Sequence, residues 1–129
     1  MAGMAQTFAE ALQRTEEGRD PDPLLQLFAP DAELSNYARR ESGIEGARRF
    51  WFSYLEQFSD IRSRFIRIIE DGGQAALVWT SVGTLKGGQP ISYSGVSVIE
   101  AEDGKVRRFE TYYDSAAFLR PEAASTGGS

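Results

Sequence analysis

The chain has no cysteine and no histidine. Without cysteine, disulfides, thiolate zinc sites, iron–sulfur clusters and thiol nucleophiles are excluded. Without histidine, the commonest general base, the Ser-His-Asp arrangement and the usual transition-metal ligand go too. Any catalysis is left to carboxylates, tyrosines, lysines, amides or bound water. Long apolar runs are also lacking, none approaching the roughly 18 residues needed to cross a bilayer. The start, Met1-Ala2-Gly3-Met4-Ala5-Gln6, has neither the basic beginning nor the apolar stretch of a secretory signal. Together these absences predict a cytoplasmic protein. The net charge is −5, so broad attraction to nucleic acid or to an anionic membrane is not expected. Arginines gather at Arg39, Arg40, Arg48 and Arg49, and again at Arg62, Arg64 and Arg67. With acids interspersed or nearby, they read as solvated faces.

What is present is enough for one hydrophobic core: 129 residues, 41% of them hydrophobic. Met4, Phe8, Ala11 and Leu12 recur at three- and four-residue spacing, which predicts an amphipathic helix over 4–17. Gly18-Arg19-Asp20-Pro21 breaks it. Asp22 then caps a short helix with Pro23 at its first position and Leu24, Leu25, Leu27 and Phe28 as its apolar side. Pro30 ends that helix, and 31–37 reads as a short strand. Ser42-Gly43-Ile44-Glu45 has the spacing of a capping box and opens a third helix over about 44–58. Its stripe of Ala47, Phe50, Trp51, Tyr54, Leu55 and Phe58 is chiefly a core face, on which individual aromatics can still line a cavity.

From Ile61 the period becomes strand-like. Strands are expected over 61–69, 74–85, 91–100 and 105–113, separated by Asp71-Gly72-Gly73, Gly87-Gly88-Gln89-Pro90 and Glu102-Asp103-Gly104. Four strands joined by turns of hairpin length make an antiparallel meander. The apolar alternation slips near Gly95-Val96 and near Phe109, marking bulges or strong bends that curl the sheet over the helices. One domain spans 1–122, and the small, polar 123–129 reads as a disordered tail.

A sheet curled over an apolar helix encloses the kind of concave space where small-molecule pockets form. On the last strand Phe109, Thr111 and Tyr113 share the pocket face, with Arg108, Glu110 and Tyr112 on the other. On the strand 74–85, Thr80 and Val82 are assigned to the pocket and Leu77, Trp79 and Ser81 to the reverse. Ser97 joins from the strand between. Trp51 and Tyr54 join from the third helix, where a buried Tyr54 hydroxyl must find a partner. Asn36 and Tyr37 end the first strand at the expected pocket mouth, either to orient a ligand oxygen or as a turn-forming amide beside a packing ring. Asp114 follows the last strand, either as a base at the rim or as a cap of the turn after it. Two strings are dismissed. Gly83-Thr84-Leu85-Lys86-Gly87-Gly88 opens no helix and is no phosphate loop, and Asp20, Asp22, Asp31 and Glu33 lack metal-ligand spacing.

Val78-Trp79-Thr80-Ser81-Val82-Gly83-Thr84 followed by 104–114, ending in Tyr112-Tyr113-Asp114, resembles the SnoaL-like branch of the NTF2-like superfamily. Ketosteroid isomerases and limonene epoxide hydrolases belong to that superfamily. The resemblance covers about 8–119. It implies an α+β cone, with about three N-terminal helices on a strongly curved antiparallel sheet, and a homodimer formed through the sheet face. It also implies a pocket for a small, largely apolar, oxygen-bearing molecule of polyketide-like or terpenoid-like character. The acids of known family mechanisms are replaced, however. Asn36 stands at the isomerase base, Phe8 at its first-helix tyrosine, and Val96 or Ser97 at its oxyanion acid. Val82, Thr84 and Thr111 stand at the hydrolase Asp-Arg-Asp set, with Thr111 also at the cyclase acid. Asp114 matches an acid that recurs at the end of the last strand. If the protein is an enzyme, the resemblance implies acid–base chemistry of isomerase, cyclase or hydrolase type without cofactor or metal. Asp114 would then act as base, with Asn36, Tyr37 and Thr111 positioning the oxygen. The alternatives are a non-catalytic ligand-binding or dimerisation module, and a cone filled by Phe50, Trp51, Phe58, Phe65, Phe109 and Tyr113 that works only through its surface.

Overall fold

A computed structural model describes residues 3–36 and 38–119. Tyr37 and the expected tail 123–129 lie outside the described residues. The elements are α1 (Met4–Gly18), α2 (Asp22–Leu25), β1 (Phe28–Ser35), β2 (Arg40–Ser42), α3 (Gly43–Glu56), β3 (Phe58–Asp71), β4 (Gln74–Leu85), β5 (Pro90–Glu102) and β6 (Lys105–Tyr113), then a 3-10 turn over Ser115–Phe118. Helices pack on one six-stranded sheet of order β2-β1-β6-β5-β4-β3. No helix of the described residues is long and apolar enough to cross a membrane.

The expected meander β3–β6 is present, every neighbouring pair antiparallel. The sheet as a whole is mixed, because β1 runs parallel to β6. The chain turns extended at Phe28, two residues before the proline expected to stop a helix. Pro30 lies where the β1–β6 register breaks, between Phe28 and Glu33. A residue without an N–H fits such a gap in the ladder. The three-residue β2 was not expected; it pairs with the end of β1. Ser42 is the extended N-cap of α3, but its side chain makes no capping bond, so the capping box does not form. Glu45 instead lies 3.7 Å from Arg48.

The expected irregularities sit elsewhere. Pairing runs unbroken through Gly95, which is opposite both Trp79 and Tyr113. The break near Phe109 is a bulge two residues earlier, where Arg108 pairs with Glu100 and Val106 with Ala101. A further bulge falls in β3, between Phe65 and Arg67.

Two aromatic clusters make up the core. Under α1, the Phe8 and Phe109 rings stack at 5.5 Å, and Trp51 lies 5.0 Å from Phe109 and 5.3 Å from Phe50. Toward the far end of the sheet, Tyr93 gathers Trp79 at 5.3 Å, Tyr113 at 5.7 Å and Phe118 at 4.9 Å. Tyr54 and Phe65 pack against both. Arg19 ties α1 to α3. It adopts a left-handed conformation (φ 55°) past the end of α1, and its guanidinium donates to the carbonyls of Leu55, Phe58 and Ser59 at 2.8–3.1 Å. That clamp reaches the Leu55 carbonyl at the C-terminal end of α3 and the first two carbonyls of β3.

Candidate functional site

A cavity of about 320 Å³ opens where the two clusters meet. The interior is therefore not filled by its aromatics, as the packed alternative required. α3 supplies Phe50, Trp51 and Tyr54; β6 supplies Phe109, Thr111 and Tyr113; β5 supplies Tyr93 and Ser97. Period-2 alternation brings Ser63 of β3 and Trp79 and Ser81 of β4 to the same wall. Phe118 closes one side from the C-terminal 3-10 turn.

The polar groups form two ladders across the sheet. In one, Trp79 Nε1 donates to Ser97 Oγ at 3.0 Å, and Ser97 Oγ meets Thr111 Oγ1 at 3.0 Å. In the other, Ser81 Oγ meets Ser63 Oγ at 2.7 Å, and Ser63 Oγ reaches Glu16 Oε2 at 2.6 Å. Glu16, on α1, is only 4% exposed. It also accepts from the Tyr54 hydroxyl at 2.6 Å and from the Ser63 backbone N–H at 2.8 Å. Burial lifts its pKa above the usual glutamate value, against the lowering effect of the Ser63 and Tyr54 hydrogen bonds. Burial, more than the neighbouring Tyr93 and Glu16, holds Tyr54 well above the ordinary phenol range. It therefore stays a neutral hydroxyl. Trp51 Nε1 is buried and has no acceptor among the described residues.

Of the residues singled out from sequence, Asn36, Trp51, Tyr54, Ser97, Phe109, Thr111 and Tyr113 line the cavity. Asn36 Oδ1 accepts from the backbone N–H of Ala38 and of Arg39 (2.8 and 3.0 Å), the turn-forming role. Thr80 and Val82 do not line it. The two faces of β4 are the reverse of the expected assignment, with Trp79 and Ser81 inward and Val82 half exposed. Apolar bulk on both faces had removed the usual contrast. Asp114 is exposed and caps the 3-10 turn, accepting from Ala116 N–H at 3.1 Å. It is absent from the cavity wall. Arg39, the only charged residue among the described lining residues, pairs with Glu41 at 2.6 Å. That hydrogen bond is the main reason the Glu41 pKa lies below the usual range. Among the described residues no group of three or more acids converges as a metal site would need.

Glu16 is not among the residues that the sequence singles out, although a signal exists. It falls four residues after Leu12, on the continuation of the stripe that carries Phe8 and Leu12. An acid on a core stripe calls for buried partners.

Helices on a curved sheet enclosing an apolar cavity define the NTF2-like class of folds. The SnoaL-like domain matches residues 5–109, and the chain belongs to that family. No curated protein matches it in sequence. Among solved structures, an NTF2-like protein of unknown function from Burkholderia pseudomallei is similar at TM-score 0.81 and 22% identity, over 93% of this chain and 97% of that one. TerC, co-crystallised with polyporic acid, is similar at 0.76 and 21%, over 91% and 93%. AclR, a putative hydroxylase from Streptomyces galilaeus, is similar at 0.72 and 20%, over 96% and 82%. At these identities the likeness concerns the fold.

Proposed function

We propose that the protein binds a small, largely apolar molecule carrying an oxygen function, held in the cavity between α3 and the sheet. The observation that carries this reading is the composition of the wall. Aromatic rings enclose about 320 Å³, near the lower end of the size range of small-molecule sites, and hydroxyls enter from two ladders. The fold neighbour crystallised with polyporic acid lends support by analogy of fold only.

Binding without turnover is the reading we favour over cofactor-free acid–base chemistry, because no carboxylate stands among the described lining residues. A base at Asp114 finds no support in an exposed, cap-forming side chain. The bicyclic ketone 1-tetralone tests the binding. Its addition should quench the emission of Trp51 and Trp79 saturably, and Thr111→Phe, which fills the space, should abolish the effect. Quenching that never saturates, or survives in the filled variant, would overturn the reading.

We also propose a homodimer through the outer sheet face. Val78, Val96 and Tyr112 stand in one outward row, and Ile69, Ala76 and Val98 in the next. Ile69 and Tyr112 are about half exposed. A contiguous apolar patch of this kind on a sheet is the usual mark of an interface.

A further inference from the structure

We propose that Glu16 sets the hydrogen-bonding character of the cavity wall at Tyr54 and Ser81, making that side an acceptor when ionised and a donor when protonated, and so tunes the choice between alcohol and ketone ligands. This rests on the reading that the cavity binds a small oxygen-bearing molecule. A hydroxyl has one hydrogen to give. With Glu16 ionised, its Oε2 takes the hydrogens of both Tyr54 and Ser63, each at 2.6 Å. The 2.7 Å contact between Ser63 and Ser81 must then use the hydrogen of Ser81. Tyr54 and Ser81 are the members of this network that line the cavity beside Ser63, and neither has a hydrogen left for a ligand. They present lone pairs only.

Protonation reverses this. The new hydrogen on Oε2 points at the oxygen of Tyr54 or of Ser63. If Tyr54 receives it, the phenol hydrogen is released to the cavity, directly or by way of the neighbouring Tyr93 hydroxyl. If Ser63 receives it, Ser63 donates to Ser81, and the Ser81 hydrogen is released instead. Either route adds one donor to the wall without moving a heavy atom.

The surroundings suit such a switch. No ion pair among the described residues reaches Glu16. From α1, Gln13 and Glu17 face the same recess, with Arg19 just past its end; from β3, Asp60, Arg62, Ser63 and Arg64 do so. The Arg19 guanidinium is held by the carbonyls of Leu55, Phe58 and Ser59. Tyr54 faces it from α3, and Tyr93 of β5 acts on it through space. Burial raises the pKa of Glu16, which carries the titration toward neutral pH.

The test compares 1-tetralone with 1-tetralol, which share a skeleton and do not titrate between about pH 5 and pH 9. The alcohol can donate or accept, so the change falls on the ketone. In the wild type, ketone affinity relative to alcohol should drop about fivefold as pH rises, the equivalent of one ordinary hydrogen bond. Glu16→Gln places an amide N–H where the acid proton would be, and should hold the ketone preference constant across the range. If that variant does not fold, the double variant Tyr54→Phe/Ser81→Ala should show a flat ratio. Both probes binding to the wild type with a pH-independent ratio would overturn the role of Glu16 and leave the binding site standing. A pH step that survives in either variant would overturn it too. Failure of both probes to bind would overturn the binding reading, and this inference with it.

Discussion

Gly95 is where the cavity wall depends most sharply on the absence of a side chain. Within β5 it lies opposite Trp79 on one neighbour and Tyr113 on the other, and the Trp79 indole crosses the space above it to reach Ser97. A Cβ at this position would come within 2.6 Å of Trp79 Cζ2 and 2.8 Å of Tyr113 Cβ, and closer still to the carbonyl oxygen of Tyr112. The first contact is with a side chain that is 7% exposed, and the last is with backbone, so neither yields easily. Overpacking of this kind costs about 1–3 kcal/mol. Displacing the indole also breaks the Trp79–Ser97 hydrogen bond, for about 1 kcal/mol more. Against this, alanine restricts the unfolded chain and returns about 0.4–1 kcal/mol. Gly95→Ala should therefore destabilise by about 1–3.5 kcal/mol in urea denaturation, with weaker 1-tetralone binding in the fraction that folds. Gly18→Ala is the control. It lies at the last position of α1, nothing stands within 4 Å of its added Cβ, and its conformation is one that alanine shares. It should be neutral or slightly stabilising. A loss below about 0.5 kcal/mol at Gly95, within the range of ordinary surface changes, would refute the close-packed wall.

Two further predictions concern residues outside the cavity. Asp114→Ala should lower stability by about 1 kcal/mol through loss of the cap, while Asp114→Asn should stay close to wild type because asparagine caps equally well. A strong effect of Asp114→Asn on ligand affinity, with stability unchanged, would contradict the capping role. Val96→Glu places a charge in the outward apolar row, and sedimentation should show it converting the proposed dimer to monomer with the melting temperature of the isolated domain little changed. A wild-type protein that sediments as a monomer at all concentrations would remove the interface.

The fold was legible because its signals are redundant. The stripe of α3 repeats at helical spacing over about three turns, and each hairpin of the meander carries a turn whose glycine adopts positive φ: Gly72 at 63°, Gly88 at 96° and Gly104 at 78°. Where one signal stood alone, the reading failed. Pro30 reads as a helix stop, yet the chain is already extended there, since a proline is equally at home in a ladder gap. The Ser42–Glu45 spacing promised a capping box, but Glu45 lies beside Arg48 instead. The strand β2, three residues long, has no period to detect.

The site was less legible for a physical reason. Alternation tells which residues of a strand share a face but not which face looks inward, unless one side is polar. On β6 the contrast of Phe109, Thr111 and Tyr113 with Arg108 and Glu110 settled it. On β4, Val78 and Val82 balanced Leu77 and Trp79, and the inward face could be chosen only by knowing what lay across from it. The proton chain is further from local reading still. Glu16, Tyr54, Ser63 and Ser81 belong to four elements, and each alone is an ordinary polar residue. Arg19, by fastening the end of α1 beneath α3, holds Glu16 beside β3, where Ser63 can meet it. The charge missing from every familiar position in the cavity wall is thus matched by one acid a single hydrogen bond behind it, at a position that only the packing of α1 on the sheet defines.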